Sequence, residues 1–349
     1  MTSGSDAAGT GGPAGGRADP ARILVVHPAF LGDTVFLGPA VRALKARWPD
    51  ARIALVVTPR GAPAAELLPG CDEVVVFDKR RADRGVSGAM RVGARLRALS
   101  PELALVSHPS PRSGAIAWLS GAPRRVGYAP LCNERVREPR GRPFVDLALR
   151  LAAVAGAPSE DRSLRLLPPA GRESYAGEVL RGASGPVVGL VPGAEWATKR
   201  WPAAAYGALA ADLAGRGASV LLLGGPSERP LCAEVAAAAR VPVRDTAGNS
   251  IAEALALLAR CDLVVGGDTG LVHCARGLGR PTLMLFGPTD PGRHLLGPRE
   301  RAMTLDLECQ PCHEHGPRRC PLGHHHCMTL LSAAAVAQAA RALLDAPRG

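Results

Sequence analysis

The sequence is short of aromatic side chains, which make up 3% of its residues, and shorter still of lysine: of 42 basic residues only Lys45, Lys79 and Lys199 are not arginine. So few aromatic rings leave little surface for bases to stack on, and no nucleic-acid-binding motif stands out, so nucleic acid is not the expected partner despite a net charge of +11. No apolar run approaches the ~20 residues a bilayer-spanning helix needs. The longest, such as ILVV at 23–26, are strand-sized. Residues 1–20, rich in Gly, Ala, Ser and Thr, lack the apolar centre of a secretory signal and read as a disordered tail, so a cytoplasmic protein is expected. GxGxxG does not follow the first strand, which counts against an ordinary nicotinamide enzyme. Neither a Ser/His/Asp nor a Cys/His nucleophile arrangement is evident, and there is no obvious DxD cation site.

What remains is a chain of 349 residues, 47% hydrophobic, long enough for two domains with a core each. Residues 21–180 carry 24 Lys or Arg against 15 Asp or Glu, so the first half supplies most of the positive charge and is expected to meet an anionic substrate or membrane surface. RILVVHP, RIALVVT (52–58), EVVVFD (73–78) and LALVSH (103–108) read as short strands separated by helical stretches. In the first of these stretches, TVFLGPAVRALKARW, Pro39 lies too deep for an undisturbed helix from Thr34, which predicts a kink or a short first turn. The pattern weakens over 120–150. A second series follows: PVVGLVPG (186–193), SVLLLGG (219–225), DLVVGG and TLMLFGP (282–288). Alternating strands and helices predict an α/β chain of two doubly wound, Rossmann-like domains facing across a cleft, divided as 21–180 and 181–330, with a terminal helix in 331–349.

Ligands of open parallel sheets bind beyond the carboxyl ends of the strands, and five polar loops follow strands here: AFLGD, GAEWATKRWP, GGPSE, GGDTGLVH and GPTDP. The most informative is DLVVGGDTGLVHCA (262–275). Gly266, Gly267 and Gly270 allow close backbone approach, and the helix that starts after Asp268 and Thr269 presents unpaired N–H groups suited to phosphate. His273, one turn on, could add a donor. Asp268 would repel phosphate but suits an N-cap or a ribose hydroxyl. The plain alternative is a capped Gly-rich turn with a buried histidine. Asp33, after the Gly32 turn, is either a helix N-cap or a base able to take a proton from a substrate hydroxyl. Lys199 is either a solvated charge or the cation that neutralises a departing diphosphate, with Thr198 and Arg200 as further donors. Glu228 is either a helix-start residue or an acceptor for ribose hydroxyls.

In their order and spacing LGD, PGAEWATKRWP, GGPSE, TAGNS, GGDTGLVHCA and FGPTDP resemble the ADP-heptose:lipopolysaccharide heptosyltransferases of glycosyltransferase family 9, and most of all the heptosyltransferase II branch. The resemblance spans about residues 21–345. It implies a GT-B fold, with acceptor on the first domain, ADP-heptose on the second, and a last helix that crosses back to the first. It also implies inverting transfer to the lipopolysaccharide inner core without a metal or other cofactor. Asp33 would be the base and Lys199 the phosphate-binding lysine; Asp268, Thr269, Gly270 and His273 would form the diphosphate site, and Glu228 and Asn249 would contact ribose and adenine. Ala194 and Glu195 stand where some members carry hydroxyl residues ahead of the lysine. A monomer in peripheral contact with the anionic inner membrane is expected. Rival readings are a transferase for another nucleotide sugar or glycan, and a zinc-stabilised nucleic-acid-binding protein.

Cys71, Cys132, Cys232, Cys261 and Cys274 lie in apolar contexts and read as small buried residues. Cys309-x2-Cys312-x7-Cys320-x6-Cys327 is different: interleaved with histidines, it has the composition of a structural zinc site, although the second pair is loosely spaced. Disulfides and reduced thiols are the alternatives.

Overall fold

A computed structural model describes residues 18–347. The tail expectation falls largely outside them; within them, Asp19 accepts a 2.8 Å hydrogen bond from Trp48 Nε1. The first half contributes β1 (Arg22–Val26), α1 (Leu31–Val35), α2 (Gly38–Arg47), β2 (Arg52–Val57), α3 (Ala62–Ala65), β3 (Glu73–Val76), α4 (Gly85–Ala98), β4 (Leu103–Val106), α5 (Pro111–Leu119), β5 (Arg124–Gly127), β6 (Glu134–Arg135) and α6 (Phe144–Ala155). After α7 (Glu173–Val179) come β7 (Val187–Val191), α8 (Ala203–Ala214), β8 (Ser219–Leu222), α9 (Arg229–Ala239), β9 (Arg244–Asp245), α10 (Ile251–Leu258), β10 (Leu263–Gly267), α11 (Gly270–Gly277), β11 (Thr282–Leu285), β12 (Glu300–Met303), α12 (His326–Thr329) and α13 (Ala333–Leu344).

The strands form two six-stranded sheets, ordered β3-β2-β1-β4-β5-β6 and β12-β11-β10-β7-β8-β9. Every pairing is parallel, as in Val25 opposite both Leu55 and Leu105, and Val265 opposite Leu190. Helices cover both faces, which is why the central strands read as unbroken apolar runs. Both orders reverse direction beside their first strand, between β1 and β4 and between β7 and β10, and each reversal leaves a crevice at the carboxyl ends of those strands. The Pro39 conflict is resolved by splitting the expected helix: α1 ends at Val35, and α2 takes Pro39 into its first turn, where a missing N–H breaks no helical bond. β5, β6 and β12 escape apolar pattern reading because they lie at or near sheet edges and carry charge, as in the Arg124–Glu134 pair at 2.7 Å.

Two expectations about packing need correction. Helix α13 does not cross back: Val336, Ala337, Ala340 and Leu343 join the core on the outer face of the second sheet, beside Leu209, Ala210 and Leu213 of α8. Its small residues fit that close approach, Arg341 pairs with Asp212 at 2.8 Å, and Trp201 Nε1 holds Leu331 O at 3.0 Å, keeping the incoming chain on this domain. Helix α7 lies inside the stretch assigned to the first domain, yet it packs on α10, and Arg244 bonds Val179 O at 2.9 Å. The division by packing therefore falls before residue 173 and not at 180. A single apolar cluster runs through both halves, from Val35 and Leu37 to Val272 and Cys274. Among the described residues no helix is long and apolar enough to cross a membrane.

Candidate active site

The loops leaving β1, β4, β7 and β10 open on one cleft of about 1280 Å³ between the two sheets. Its centre is the contact between α1 and α11, which is close because both helices present glycine there. A Cβ on Gly32 would lie 2.8 Å from His273 Cδ2, and one on Gly270 would lie 2.8 Å from Leu31 Cβ. Asp33 on α1 is thereby brought to the residues around Asp268.

Asp33 is not the N-cap but the third residue of α1, with its Oδ2 accepting the Phe30 N–H at 3.1 Å. It lines the cleft half-buried, and burial raises its pKa against the opposing effects of the Phe30 hydrogen bond and of Lys199. A carboxylate with a raised pKa is a stronger proton acceptor than an exposed aspartate.

Asp268 is 9% exposed and caps nothing, since Thr269 is the N-cap of α11. Its Oδ2 accepts from Lys199 Nζ at 2.6 Å and from the Thr289 hydroxyl at 2.9 Å, while Oδ1 lies 2.9 Å from His273 Nε2. Burial pushes this carboxyl up, but the His273 hydrogen bond and the Lys199 charge outweigh it and hold the pKa well below the carboxylate range. Burial keeps His273 neutral. Arg276, which can only donate, reaches His273 Nδ1 at 3.4 Å, so the ring proton sits on Nε2 and is spent on Asp268. His273 therefore supports the cleft wall and has no second N–H to give a phosphate. Lys199 is 13% exposed and rides on a short turn, Ala197–Lys199, after β7.

Thr269 makes no side-chain cap, so the N–H groups of Gly270 and Leu271 are left without the intrahelical partners that first-turn groups lack by geometry. Gly270 and Leu271 line the cleft together with Lys199 and Arg200. Thr198 does not join them. It is buried, its hydroxyl donates to Pro317 O at 2.5 Å, and its carbonyl bonds His325 Nε2 at 2.7 Å. Glu228 lines the cleft with Oε2 on Gly225 N at 2.9 Å, leaning over Gly193 where any Cβ would clash. Asn249 lines it too, and its Nδ2 has no hydrogen-bond partner among the described residues.

Several residues here were not anticipated. His294 stacks on His273 with centroids 5.0 Å apart, and burial lowers its pKa to about 3. Arg293 pairs with Glu314 and lies 4.1 Å over the Phe144 ring, tying the second domain to the first. In the first half, Arg60, Lys79, Arg80 and Arg81 line the cleft with His27 and His108. Of these, only Lys79 left a trace in the sequence, as one of its three lysines. Asp268, His273 and His294 place one ligand atom each within 4.8 Å of one another, a spacing that suits a cation. The Lys199 ammonium already supplies positive charge to that carboxylate.

Residues 89–322 match the family described as glycosyltransferase family 9 (heptosyltransferase). The chain is 29% identical to lipopolysaccharide heptosyltransferase 2 of Escherichia coli K12 over 77% of its own length and 84% of that protein. It is 30% identical to lipopolysaccharide heptosyltransferase 1 of Pseudomonas aeruginosa over 83% and 86%. Its fold matches the solved ADP-heptose lipopolysaccharide heptosyltransferase II of Escherichia coli with a TM-score of 0.76 at 25% identity, covering 93% of this chain and 98% of that one. The paired parallel sheets are thus those of a GT-B glycosyltransferase, and the chain belongs to glycosyltransferase family 9, the heptosyltransferases.

Proposed function

We propose that this chain moves L-glycero-D-manno-heptose from ADP-heptose to a sugar hydroxyl of the lipopolysaccharide inner core, with inversion. The observation that carries the proposal is the α1–α11 contact, which sets the half-buried carboxylate of Asp33 against the Lys199–Asp268 pair and the open N-terminus of α11. Asp33 takes the proton from the acceptor hydroxyl as its oxygen attacks the anomeric carbon, and the bond from that carbon to the ADP phosphate oxygen breaks. Lys199, Arg200 and the first N–H groups of α11 take up the charge on the leaving diphosphate. Glu228 accepts from ribose hydroxyls and Asn249 donates to adenine. Asp268 and His273 hold Lys199 in place and do not touch the nucleotide.

The cationic side chains Arg60, Lys79, Arg80 and Arg81 in the first half suit an anionic acceptor and peripheral contact with the anionic inner membrane from the cytoplasmic side. We take the enzyme to act as a monomer. The chemistry needs no metal at the reacting atoms, because Lys199 stands on the carboxylate a cation would use. Direct assay with ADP-heptose against UDP- and GDP-sugars tests the donor, and turnover undiminished by a chelator is expected. Asp33→Asn should abolish transfer while ADP affinity stays within a fewfold; near-normal turnover in that variant defeats the base assignment.

A further inference from the structure

The first sheet has a topological switch of its own, between β1 and β4, and the residues that leave those two strands take no part in the steps above. His27 follows β1, Ser107 and His108 follow β4, and all three line the cleft. His27 Nδ1 lies 2.9 Å from the Ser107 hydroxyl, and its Nε2 is buried. The two imidazoles meet edge to face with centroids 5.8 Å apart, so His27 backs the His108 ring. His108 is also held at its other side. Its Nδ1 accepts from the Ser110 N–H at 3.4 Å and from the Ser113 hydroxyl at 3.2 Å, and both serines are fixed in turn by the start of α5, where the Ser110 side chain caps Ser113 N.

A backbone N–H can only donate, so Nδ1 of His108 is the acceptor and the neutral ring carries its proton on Nε2. Burial, and after it the Lys79 charge, lower the pKa to about 4 and keep the ring neutral. Among the described residues nothing accepts from that Nε2–H. Cations surround it. Lys79 Nζ donates to Pro28 O at 2.6 Å and has two N–H groups left, Arg80 and Arg81 line the cleft beside it, and Arg112 of α5 acts on Lys79 electrostatically. The carboxylate nearest in sequence, Asp78, accepts the backbone N–H groups of Arg80 and Arg81 at 3.3 and 3.1 Å. Among the described residues no carboxylate lies within ion-pair distance of Lys79, Arg80, Arg81 or Arg112. A fixed N–H donor next to an ammonium without a counter-charge suits an anionic oxygen.

We propose that His108 reads the acceptor: its Nε2–H donates to a carboxylate or phosphate oxygen of the acceptor sugar, whose charge Lys79 neutralises, and the attacking hydroxyl is thereby presented to Asp33. The inference rests on the transfer reaction proposed above and adds a requirement, an anionic group close to the attacking hydroxyl. Because the serines and His27 fix the ring, the donor has one direction, and an acceptor whose anionic group lies elsewhere is not aligned.

Steady-state kinetics on the full chain, with a lipopolysaccharide core fragment as acceptor, test the contact. His108→Leu fills the space without a donor and should raise the acceptor KM roughly tenfold to a hundredfold, with kcat and the ADP-heptose KM within about threefold of wild type. His108→Gln, whose amide nitrogen reaches the place of Nε2, should recover most of the loss. Two altered acceptors separate the sources of the anion, one with its carboxylates esterified and one with its phosphates removed. One of them should weaken wild type by the same factor and leave His108→Leu indifferent. An unchanged acceptor KM in His108→Leu overturns the proposal, and so does a loss that both altered acceptors leave intact. Calorimetric titration of the acceptor without donor reads the contact apart from the reaction: wild type that binds acceptor but does not turn over ADP-heptose contradicts the donor, whereas equal acceptor affinity in wild type and His108→Leu contradicts the role of His108. Should the His108 variants fail to fold, Ser113→Ala, which releases Nδ1, should raise the acceptor KM about threefold or more, and an unchanged value counts against the contact.

Discussion

Gly270→Ala tests whether the contact between α1 and α11 sets the position of Asp33. The added Cβ would lie 2.8 Å from Leu31 Cβ and 3.1 Å from Gly32 N, whereas ordinary contact begins at 3.4 Å, so α1 must retreat by about 0.6 Å. Neither neighbour is the end of a flexible side chain, so the backbone has to move. A misplacement of ~1 Å can cost about a hundredfold in rate, and kcat/KM is expected to fall roughly tenfold to a hundredfold, or about 1.4 to 2.7 kcal/mol of barrier. The affinity for ADP should change less than the rate, because α11 and Lys199 stay together in the second domain. Overpacking should also lower stability by about 1–3 kcal/mol. Steady-state kinetics and ADP titration calorimetry on the same preparations separate the two effects. Gly177→Ala is the control: a Cβ there meets nothing within 4 Å, and an alanine inside helix α7 should, if anything, raise the melting temperature without altering kinetics. Wild-type kcat/KM in Gly270→Ala refutes the reasoning. A loss of ADP affinity as large as the loss of rate would instead assign the damage to the donor site.

Because burial raises the pKa of Asp33, kcat/KM should fall with decreasing pH along a limb that lies above the ~3.9 of an exposed aspartate. His27, at about 3, titrates below that range and cannot account for it. The cost of ionising Asp33 in the fold grows as pH rises from its unfolded pKa through its higher folded one. Asp33→Asn should therefore melt higher than wild type at pH 7, with the gain vanishing below pH ~4; an equal or lower melting temperature at pH 7 contradicts the shift. Asp268 has the opposite sign: its depressed pKa stabilises the fold above the unfolded value and is lost as pH falls through the folded one. Asp268→Asn removes the partner of a buried lysine and is expected to cost about 3–5 kcal/mol in denaturant melts, partly restored by ADP; an unchanged melt excludes the pairing. Ala340→Leu should overpack the α13–α8 contact and cost about 1–3 kcal/mol with kcat and KM unaltered, whereas a kinetic defect would place α13 nearer the cleft.

Where the structure goes beyond the local sequence, the cause is physical. Beside Lys199 the sequence suggests Thr198 as a further donor, but its hydroxyl donates to the carbonyl of Pro317, 119 residues away. His273 sits one turn into α11, and the contacts of its ring come from Asp268 at Nε2 and Arg276 at Nδ1, the first outside the helix and the second three residues on. The partner of the Asp268 carboxylate, Lys199, lies 69 residues away in sequence, so their pairing is not visible locally. For α13 the small apolar face was legible, and the surface it covers was not, since a strip of alanine, valine and leucine fits many helices. The strands β5, β6 and β12, at a sheet edge or next to one, hid for another reason: such positions tolerate charge, so the apolar runs that mark a buried strand are missing there.

Local rules therefore carried this sequence a long way. Strand and helix alternation and glycines where strands end are properties of short stretches, and they determined the two parallel sheets and the polar loops at their carboxyl ends. Charge pairing is not a property of short stretches. Which carboxylate stays ionised, which histidine is neutral and which base meets which cation depend on partners drawn from both sheets, because Coulomb and desolvation energies follow distance in space and burial. Only the packing of α1 on α11, glycine against glycine, brought Asp33 and Lys199 to one cleft.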